Sequence, residues 1–389
     1  MTTSPPEDLI YLDHNATTPV APEVLDAMLP YLKQQYGNPS SDHPLGHRAH
    51  QAIDEARGQV ASLIGAEPGE IVFTAGGTES NNLAIRGTAA TAEPGRRRIV
   101  TSQVEHPATA RPCDFLEAQG WTISRVPVTN TGTVDVETMV QALDADVALL
   151  TVMLAQNETG AIMPVAAAAA AARPLGIITH TDAAQAIGKI EVAVDSLDVD
   201  LLSIAGHKCY APKGVGALYV RSGTSLRPVL LGAGQERGLR PGTENVADIV
   251  GLGAACRLAQ IGLDAESPRL RHLREQLWQD LSGRIPGLER YTPEEEDSLP
   301  NTLMVSFPGV LGRDVLRHAT RVAASTGSAC HAGQDAPGGT LLAMGVPPDV
   351  ALGAVRLSLG HDNTAADVAT AADLLTLAHR NATTGDGDP

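Results

Sequence analysis

Aromatic residues are scarce in this sequence: phenylalanine, tryptophan and tyrosine together make up 3% of its 389 residues. A core with so few large rings must be built mainly from alanine, valine, leucine and isoleucine. The sequence also has no run of the ~18 apolar residues that a membrane-spanning helix needs. Its N-terminus lacks a basic start followed by an apolar run, so we expect neither a secretory signal nor a membrane protein.

Cysteine is rarer still, and the four residues of this type are Cys113, Cys209, Cys256 and Cys330. They lie far apart and form no C-x-x-C pair, which argues against a zinc knuckle and against a disulfide framework. We therefore expect no metal site and a cytoplasmic protein with free thiols. By default each cysteine is a small buried apolar side chain, and a reactive one needs separate evidence.

Basic residues are fewer than acidic ones: the chain has 28 lysines and arginines and 45 aspartates and glutamates, which gives a net charge of -17. A field of that sign repels a phosphate backbone, so nucleic acid is not an expected partner. A small anionic ligand could still be bound by a local basic pocket.

Short β-branched runs alternate with helical patterns through the middle of the chain. Strands are predicted at 71–73, 98–101, 121–126, 147–153, 177–181, 201–204 and 217–220. Strands separated by helices indicate an α/β fold with a largely parallel sheet and helices on both faces. In such sheets ligands bind at the carboxyl ends of the strands.

The length of the chain favours two domains. From about residue 260 the character changes: a charged amphipathic helix at 269–281, strands at 301–307 and 321–325, and a final helix at 365–380 predict a smaller α/β unit. We predict a large domain at 16–258, a small domain made of 1–15 and 259–380, and a flexible polar tail at 381–389.

Two segments place polar residues at predicted strand ends. Gly77 and Thr78 follow a strand and open a helix, where free backbone N–H groups favour an anion; a tight turn capped by Thr78 is the simpler alternative. Asp182 ends an apolar strand, where a carboxylate needs a cationic partner such as a protonated pyridine nitrogen. Gln185 could donate to a phenolate oxygen, and helix capping by Asp182 is the alternative.

Three further residues carry reactive groups. Lys208 follows a buried strand, where a free ammonium is costly and a Schiff base removes much of that cost; an ordinary surface lysine is the alternative. His106 could stack on a flat ring and move protons near neutral pH, or be a structural residue. Cys330 lies in a small, glycine-bearing segment beside His331, which could help its ionisation; an inert buried cysteine is the alternative.

Short motifs run nearly from end to end: YLDHNATTP at 11–19, GNPSS at 37–41, TESN at 78–81, EH at 105–106, NETG at 157–160, DAAQ at 182–185, GHK at 206–208, QERG at 235–238, RPGTEN at 240–245, GSAC at 327–330 and RLSLG at 356–360. In this order the chain resembles the NifS/IscS-type cysteine desulfurases, within the class V aminotransferase group of fold-type I pyridoxal-phosphate (PLP) enzymes. The resemblance implies a large domain with a mostly parallel seven-stranded sheet sandwiched by helices. It also implies a smaller α/β domain that carries the Cys330 loop.

The resemblance implies a role for each candidate residue around the cofactor. Lys208 would bind PLP covalently, Asp182 would pair with the ring nitrogen, and Gln185 would contact the ring hydroxyl. His106 would stack on the ring and handle protons. The phosphate would be held by the backbone of Gly77, by Thr78 and His207, and by Thr243 from the partner subunit of a homodimer.

The resemblance also implies how the substrate is bound. Asn157 and Arg356 would bind its carboxylate, because a planar guanidinium grips a carboxylate through paired hydrogen bonds. Cys330 would attack the substrate sulfur, giving alanine and a Cys330 persulfide that passes to an acceptor protein or a small thiol.

One position departs from the desulfurase pattern. Ala205 stands where most desulfurases of this type have a serine that touches the phosphate. The mammalian-type selenocysteine lyases also lack that serine, and MLAQNETG at 153–160 further resembles their pattern. L-Selenocysteine is therefore an alternative to L-cysteine as the substrate, and a catalytically degenerate scaffold with the same fold is a third hypothesis.

Overall fold

The computed structural model of the chain describes residues 8–326 and 338–384, so Cys330 lies outside the described residues. Within them short strands alternate with helices, as the sequence pattern predicts. In chain order the strands are β1 (Ile10–Tyr11), β2 (Ile71–Thr74), β3 (Arg98–Ser102), β4 (Thr122–Val126), β5 (Val147–Thr151), β6 (Ile178–Asp182), β7 (Leu201–Ala205), β8 (Gly216–Val220), β9 (Glu289–Arg290), β10 (Thr302–Ser306), β11 (Val322–Ala323) and β12 (Ala354–Ser358).

The helices begin and end at recognisable local signals. In chain order they are α1 (Pro22–Lys33), α2 (Pro44–Ile64), α3 (Gly77–Ala89), α4 (Pro107–Glu117), α5 (Val136–Gln141), α6 (Val165–Ala172), α7 (Val194–Leu197), α8 (Val246–Ser282), α9 (Gly312–His318), α10 (Gly339–Ala343), α11 (Pro348–Leu352) and α12 (Ala365–Thr384). Helices α1, α2, α4 and α11 begin at a proline, whose fixed φ suits the first helical position. Helix α2 ends before Gly65, which adopts the left-handed conformation that glycine tolerates.

Strands β2 to β8 form one seven-stranded sheet in the order β2-β8-β7-β6-β5-β3-β4. Neighbouring strands are parallel except at β8, which is antiparallel to both β2 and β7. Strands β5 and β7 are buried along their whole length, as expected where helices cover both faces. Gly216 on β8 cannot carry a side chain, because a Cβ would lie 2.4 Å from the carbonyl oxygen of Ile204 and 2.7 Å from the Cα of Gly76. The predicted α/β fold with a mostly parallel seven-stranded sheet is confirmed.

A second apolar cluster, separate from the one around the central sheet, lies between β10, β12, α12 and the C-terminal half of α8. Ile10 and Leu12 belong to it, so the N-terminal strand joins the C-terminal unit. Helix α8 contributes to both clusters. It runs unbroken past residue 258, where the sequence analysis puts a domain boundary. The predicted helix at 269–281 is the C-terminal half of α8. Helix α12 continues to Thr384, so residues 381–384, which the sequence analysis assigns to a flexible tail, are helical.

By length and composition, α8 is the one described helix that could cross a membrane. Within the protein, however, 44% of its apolar window is buried. It packs on α1 and α2 at one end and on α12 at the other. These contacts are typical of the core helix of a folded domain.

Candidate active site

A cavity of about 340 Å³ lies at the carboxyl ends of β6 and β7. This edge of an open α/β sheet is where ligands bind. Nine of the eleven residues that the sequence singles out line this one cavity: Gly77, Thr78, His106, Asn157, Asp182, Gln185, His207, Lys208 and Arg356. Of the other two, Thr243 is exposed and does not line the cavity, and Cys330 lies outside the described residues.

The amine of Lys208 is the central donor in the cavity. Lys208 lies in a short turn directly after β7, and its Nζ donates to the carbonyl oxygens of Asn15 (2.6 Å) and Ala16 (2.7 Å). Burial lowers the pKa of this amine to about 8, with help from the positive charge of Arg356 and against the effect of Asp182. Near neutral pH part of the amine is therefore unprotonated, which is the form that can attack a carbonyl carbon.

Asp182, the last residue of β6, places a carboxylate in the same cavity and is only 7% exposed. Its Oδ2 accepts a hydrogen bond from Nδ2 of Asn81 (2.7 Å), and its Oδ1 accepts one from the backbone N of Ala184 (3.0 Å). Across residues 8–326 and 338–384, no lysine, arginine or histidine forms an ion pair with it. A carboxylate that is buried with neutral donors alone has capacity for a cationic partner.

His106 stands at the start of α4 and lines the cavity. Its Nδ1 accepts a hydrogen bond from the backbone N of Ala108 (3.1 Å), so the neutral ring carries its proton on Nε2. Burial lowers the pKa of the ring, Asp182 opposes this effect, and Lys208 adds to it. The ring is therefore neutral near pH 7, with an N–H donor left for a ligand.

The N-terminus of α3 forms an anion-binding end of the cavity. Gly76 precedes this helix with a φ of 140°, a conformation that glycine tolerates, and the free N–H groups of the 13-residue helix favour an anion. Gly77 packs against Ala205, since a Cβ on Gly77 would lie 3.1 Å from the Cβ of Ala205. His207 contacts Thr17 (Nδ1 to Oγ1, 3.2 Å), and burial lowers its pKa to about 4, so it can offer an anion a hydrogen bond but no charge.

Arg356 on β12 brings a cation to the cavity from the C-terminal unit. Its Nη2 donates to Oδ1 of Asp13 (2.9 Å), and its Nη1 donates to the carbonyl oxygen of Asn157 (2.9 Å). Its Nε is buried and has no hydrogen-bond partner among the described residues. A guanidinium that is fixed on two sides and keeps a free donor is suited to binding a carboxylate.

Gln185 is already hydrogen-bonded within the protein. Its Nε2 donates to the carbonyl oxygen of Asn15 (2.9 Å), and its Oε1 accepts from Nζ of Lys189 (2.8 Å). The contact with a ring hydroxyl that the resemblance implies stays a prediction. These bonds show that the NH₂ group of the amide, and not its oxygen, faces the carbonyl oxygen of Asn15. The same carbonyl oxygen accepts a hydrogen bond from Lys208.

Three residues that organise the site were missed by the sequence analysis: Asn15, Asn81 and Lys189. Asn15 and Asn81 lie inside the quoted motifs at 11–19 and 78–81, so motif membership was the available signal. Lys189 is 7% exposed, but its sequence position four residues after Gln185 does not distinguish it from a surface lysine.

These groups fit PLP, the cofactor that the resemblance implies. A protonated ring nitrogen would give Asp182 the cationic partner that the described residues do not supply. An aldehyde would meet the Lys208 amine, whose pKa of about 8 leaves it reactive. A phosphate would meet the backbone N–H groups at the start of α3. All three features border one cavity, and their chemistry matches that of a phosphate-bearing aldehyde with a basic ring nitrogen.

Similarities in sequence and structure to known proteins agree with the chemistry of this cavity. The profile of the Aminotransferase class-V family matches residues 10–370. The chain is 45% identical over 368 residues to "Cysteine desulfurase IscS" of Dictyoglomus turgidum, a match that covers 94% of this chain and 93% of that protein. Among solved structures it is similar to a NifS-like protein (TM-score 0.89, 36% identity, 95% of this chain and 98% of that chain). It is also similar to SspA in complex with cysteine (TM-score 0.80, 34% identity, 90% and 98%). The predicted resemblance is confirmed: the chain belongs to the class-V aminotransferase family.

Proposed function

We propose that this protein is a PLP-dependent cysteine desulfurase, which converts L-cysteine to L-alanine and transfers the sulfur to Cys330. The observation that carries the proposal is the meeting of Lys208, Asp182 and Arg356 in one cavity. Relatives at about 45% identity are cysteine desulfurases, and one similar solved structure is that of SspA in complex with cysteine. These matches favour the enzyme over a degenerate scaffold, and they favour cysteine as its substrate.

Different side chains of the cavity bind the substrate, transfer the proton and hold the cofactor. Arg356 and Asn157 bind the substrate carboxylate, which holds the α-carbon beside Lys208. The Lys208 amine accepts a proton from that carbon and returns it, a role that suits a pKa of about 8. PLP, when bound, supplies an electron sink for bond breaking at the substrate. Asp182 keeps the ring nitrogen of the cofactor protonated.

Cys330 is the proposed sulfur acceptor, and its role rests on the resemblance. Its thiolate attacks the substrate sulfur, so a sulfur–sulfur bond forms as the carbon–sulfur bond breaks. The overall reaction is balanced without an oxidant: L-cysteine and the Cys330 thiol give L-alanine and a Cys330 persulfide. The other three cysteines are buried and free, which leaves them poorly placed for this exchange.

We infer further that two copies of the chain form a homodimer that completes the phosphate site. Thr243 is exposed and does not line the cavity of its own chain. The preceding part of the same connection, between β8 and α8, exposes Leu230 (50%) and Leu231 (89%), and such an apolar pair is suited to burial against a second subunit. Thr243 of one chain would then reach the phosphate held by the other.

L-Selenocysteine is proposed as a second substrate of the same site, because Ala205 gives the chain the pattern that also occurs in selenocysteine lyases. An acceptor protein or a small thiol is proposed to take the sulfur from Cys330. The buried free thiols of Cys113, Cys209 and Cys256 support a reducing, cytoplasmic location.

The proposal is tested by the turnover of L-cysteine by PLP-loaded protein, with alanine and sulfide measured in the presence of a reductant. The wild-type protein should release both in equal amounts. Cys330→Ala should keep its bound PLP and lose sulfide release, whereas the matched control Cys113→Ala should retain it. L-Selenocysteine is assayed in parallel to compare the two substrates. A wild-type protein that binds PLP but leaves L-cysteine unchanged would contradict the proposal.

A further inference from the structure

A second lysine is buried directly beside the cavity. Lys189 is 7% exposed, and its Nζ donates to Oε1 of Gln185 (2.8 Å) and to Oδ1 of Asn15 (3.1 Å). Among the described residues no carboxylate forms an ion pair with it. Buried lysines are rare and usually paired with an acid, so a lysine that is bound only to two amide oxygens needs a specific explanation.

Asn15 connects this lysine to Lys208. The carbonyl oxygen of Asn15 accepts from both Nζ of Lys208 (2.6 Å) and Nε2 of Gln185 (2.9 Å). The side chain of Asn15 is held by other partners: its Nδ2 donates to Oγ1 of Thr302 (2.8 Å) and to the carbonyl oxygen of Asn157 (3.3 Å). Because a carbonyl can only accept, these bonds turn Oδ1 of Asn15 towards Lys189.

The amine of Lys189 and the carbonyl oxygen of Asn15 together fix which end of the Gln185 amide faces the cavity. An amide can present either its oxygen or its NH₂ group to a ligand, and only its hydrogen-bond partners settle the choice. The Lys189 amine donates to two oxygens, which is within its capacity whether it is charged or neutral. The Gln185 oxygen therefore accepts from Lys189. The NH₂ group faces the carbonyl oxygen of Asn15, which also accepts from Lys208.

We propose that Lys189 is a positioning residue, which holds Gln185 so that an N–H group and not an oxygen is presented to the phenolate oxygen of PLP. The inference rests on the proposed function, since it needs the cofactor at Lys208. An N–H donor stabilises the phenolate anion and so weakens the affinity of the Lys208–PLP linkage for its proton. Without Lys189 the amide is held only by the Asn15 carbonyl, an acceptor that it shares with Lys208, so the NH₂ group is kept less firmly towards that anion.

Other charged groups surround Lys189 and bear on the same titration. Lys208 and Arg356 are the nearby cations, and the thiol of Cys209 and the ring of His14 also lie close enough to interact with it. Burial, followed by these two cations, lowers the pKa of Lys189 well below its usual range. Any loss of positive charge at Lys189 would raise the proton affinity of the linkage, in the same direction as looser positioning of the amide.

The test is a pH titration of the visible absorbance of PLP-loaded protein. Lys189→Met should raise the apparent pKa of this band by about one unit, the size of one hydrogen bond to a charged group. The matched control is Lys213→Met, which removes the ammonium of an exposed lysine near His207 and should leave the titration close to that of the wild type. If Lys189→Met is insoluble, Lys189→Leu serves in its place, with an upward shift still expected.

A double-mutant cycle separates action through Gln185 from a direct effect of charge. In a Gln185→Leu background the shift caused by Lys189→Met should fall to less than half. An unshifted titration of the Lys189 variants, or an equal shift in both backgrounds, would overturn the inference. A wild-type protein with no visible band at all would instead refute the proposed function, so the two failures are distinguishable.

Discussion

Glu236→Gln is expected to loosen the connection between β8 and α8 that carries Thr243. Glu236 and Arg237 both adopt the left-handed conformation, with φ of 46° and 58°. Such a backbone costs on the order of 1–3 kcal/mol for each residue that is not glycine, so other contacts must hold it. Oε1 and Oε2 of Glu236 accept from the guanidinium of Arg57 (2.6 and 2.8 Å), and Oε2 also accepts from the backbone N of Phe73 (2.7 Å).

The expected magnitude follows from the burial of this ion pair. The side chains of Arg57 and Glu236 are 14% and 3% exposed, so an amide at position 236 leaves the Arg57 guanidinium buried and without its anion. Removing one partner of a buried pair costs about 3–5 kcal/mol. Because a glutamine oxygen in the place of Oε2 can still accept two of the three hydrogen bonds, we expect the lower end, about 3 kcal/mol.

The assay is urea denaturation of PLP-loaded protein, read together with the retention of PLP. The matched control is Glu117→Gln, which removes an acid from an exposed pair with the same two-pronged geometry to Arg125, and should barely move the midpoint. Glu236→Gln should lower the midpoint clearly and should speed the loss of PLP. Equal midpoints for the two variants would refute the reasoning, because burial would then have no effect.

Three further predictions concern the cavity and the sheet. The rate of PLP capture by cofactor-free protein should rise as the pH passes through about 8, because the lowered pKa of Lys208 makes the free amine dominant above that value; a flat profile measured by absorbance would contradict this. Arg356→Lys should raise KM for L-cysteine roughly tenfold or more with a smaller fall in kcat, since a point charge replaces a planar fork; steady-state kinetics with unchanged KM would exclude the carboxylate role. Gly216→Ala should lower the free energy of unfolding by about 1–3 kcal/mol, measured by urea denaturation. In the control Gly58→Ala in α2, no atom lies within 4 Å of the added Cβ, and the free energy of unfolding should rise slightly.

The sheet could be predicted from the sequence because each of its parallel strands is a short run rich in β-branched or other apolar residues. The runs at 98–101 and 201–204 match β3 and β7 to within one residue. The extent of α8 was harder to predict, since its apolar N-terminal half and charged C-terminal half look like separate elements. Only the packing reveals that one helix of 37 residues serves two apolar clusters.

The site could be predicted wherever a reactive group follows a strand, as Asp182 and Lys208 do. What the sequence could not reveal is the support around them. Asn81 in α3 binds Asp182 at the end of β6, 101 residues away in the chain, and Asn15 binds Lys208 across 193 residues. Lys189 looks like any other lysine until its burial is known. Such contacts depend on three-dimensional packing and leave no local pattern in the sequence.

The covalent attachment of PLP to Lys208 is the central claim, and peptide mapping tests it directly. PLP-loaded protein is reduced with borohydride, digested and analysed by mass spectrometry. The chain has only four lysines, Lys33, Lys189, Lys208 and Lys213, so the site of attachment can be assigned without ambiguity. The account predicts the added cofactor mass on Lys208. A stoichiometric label on Lys189, or no label on any lysine, would contradict it.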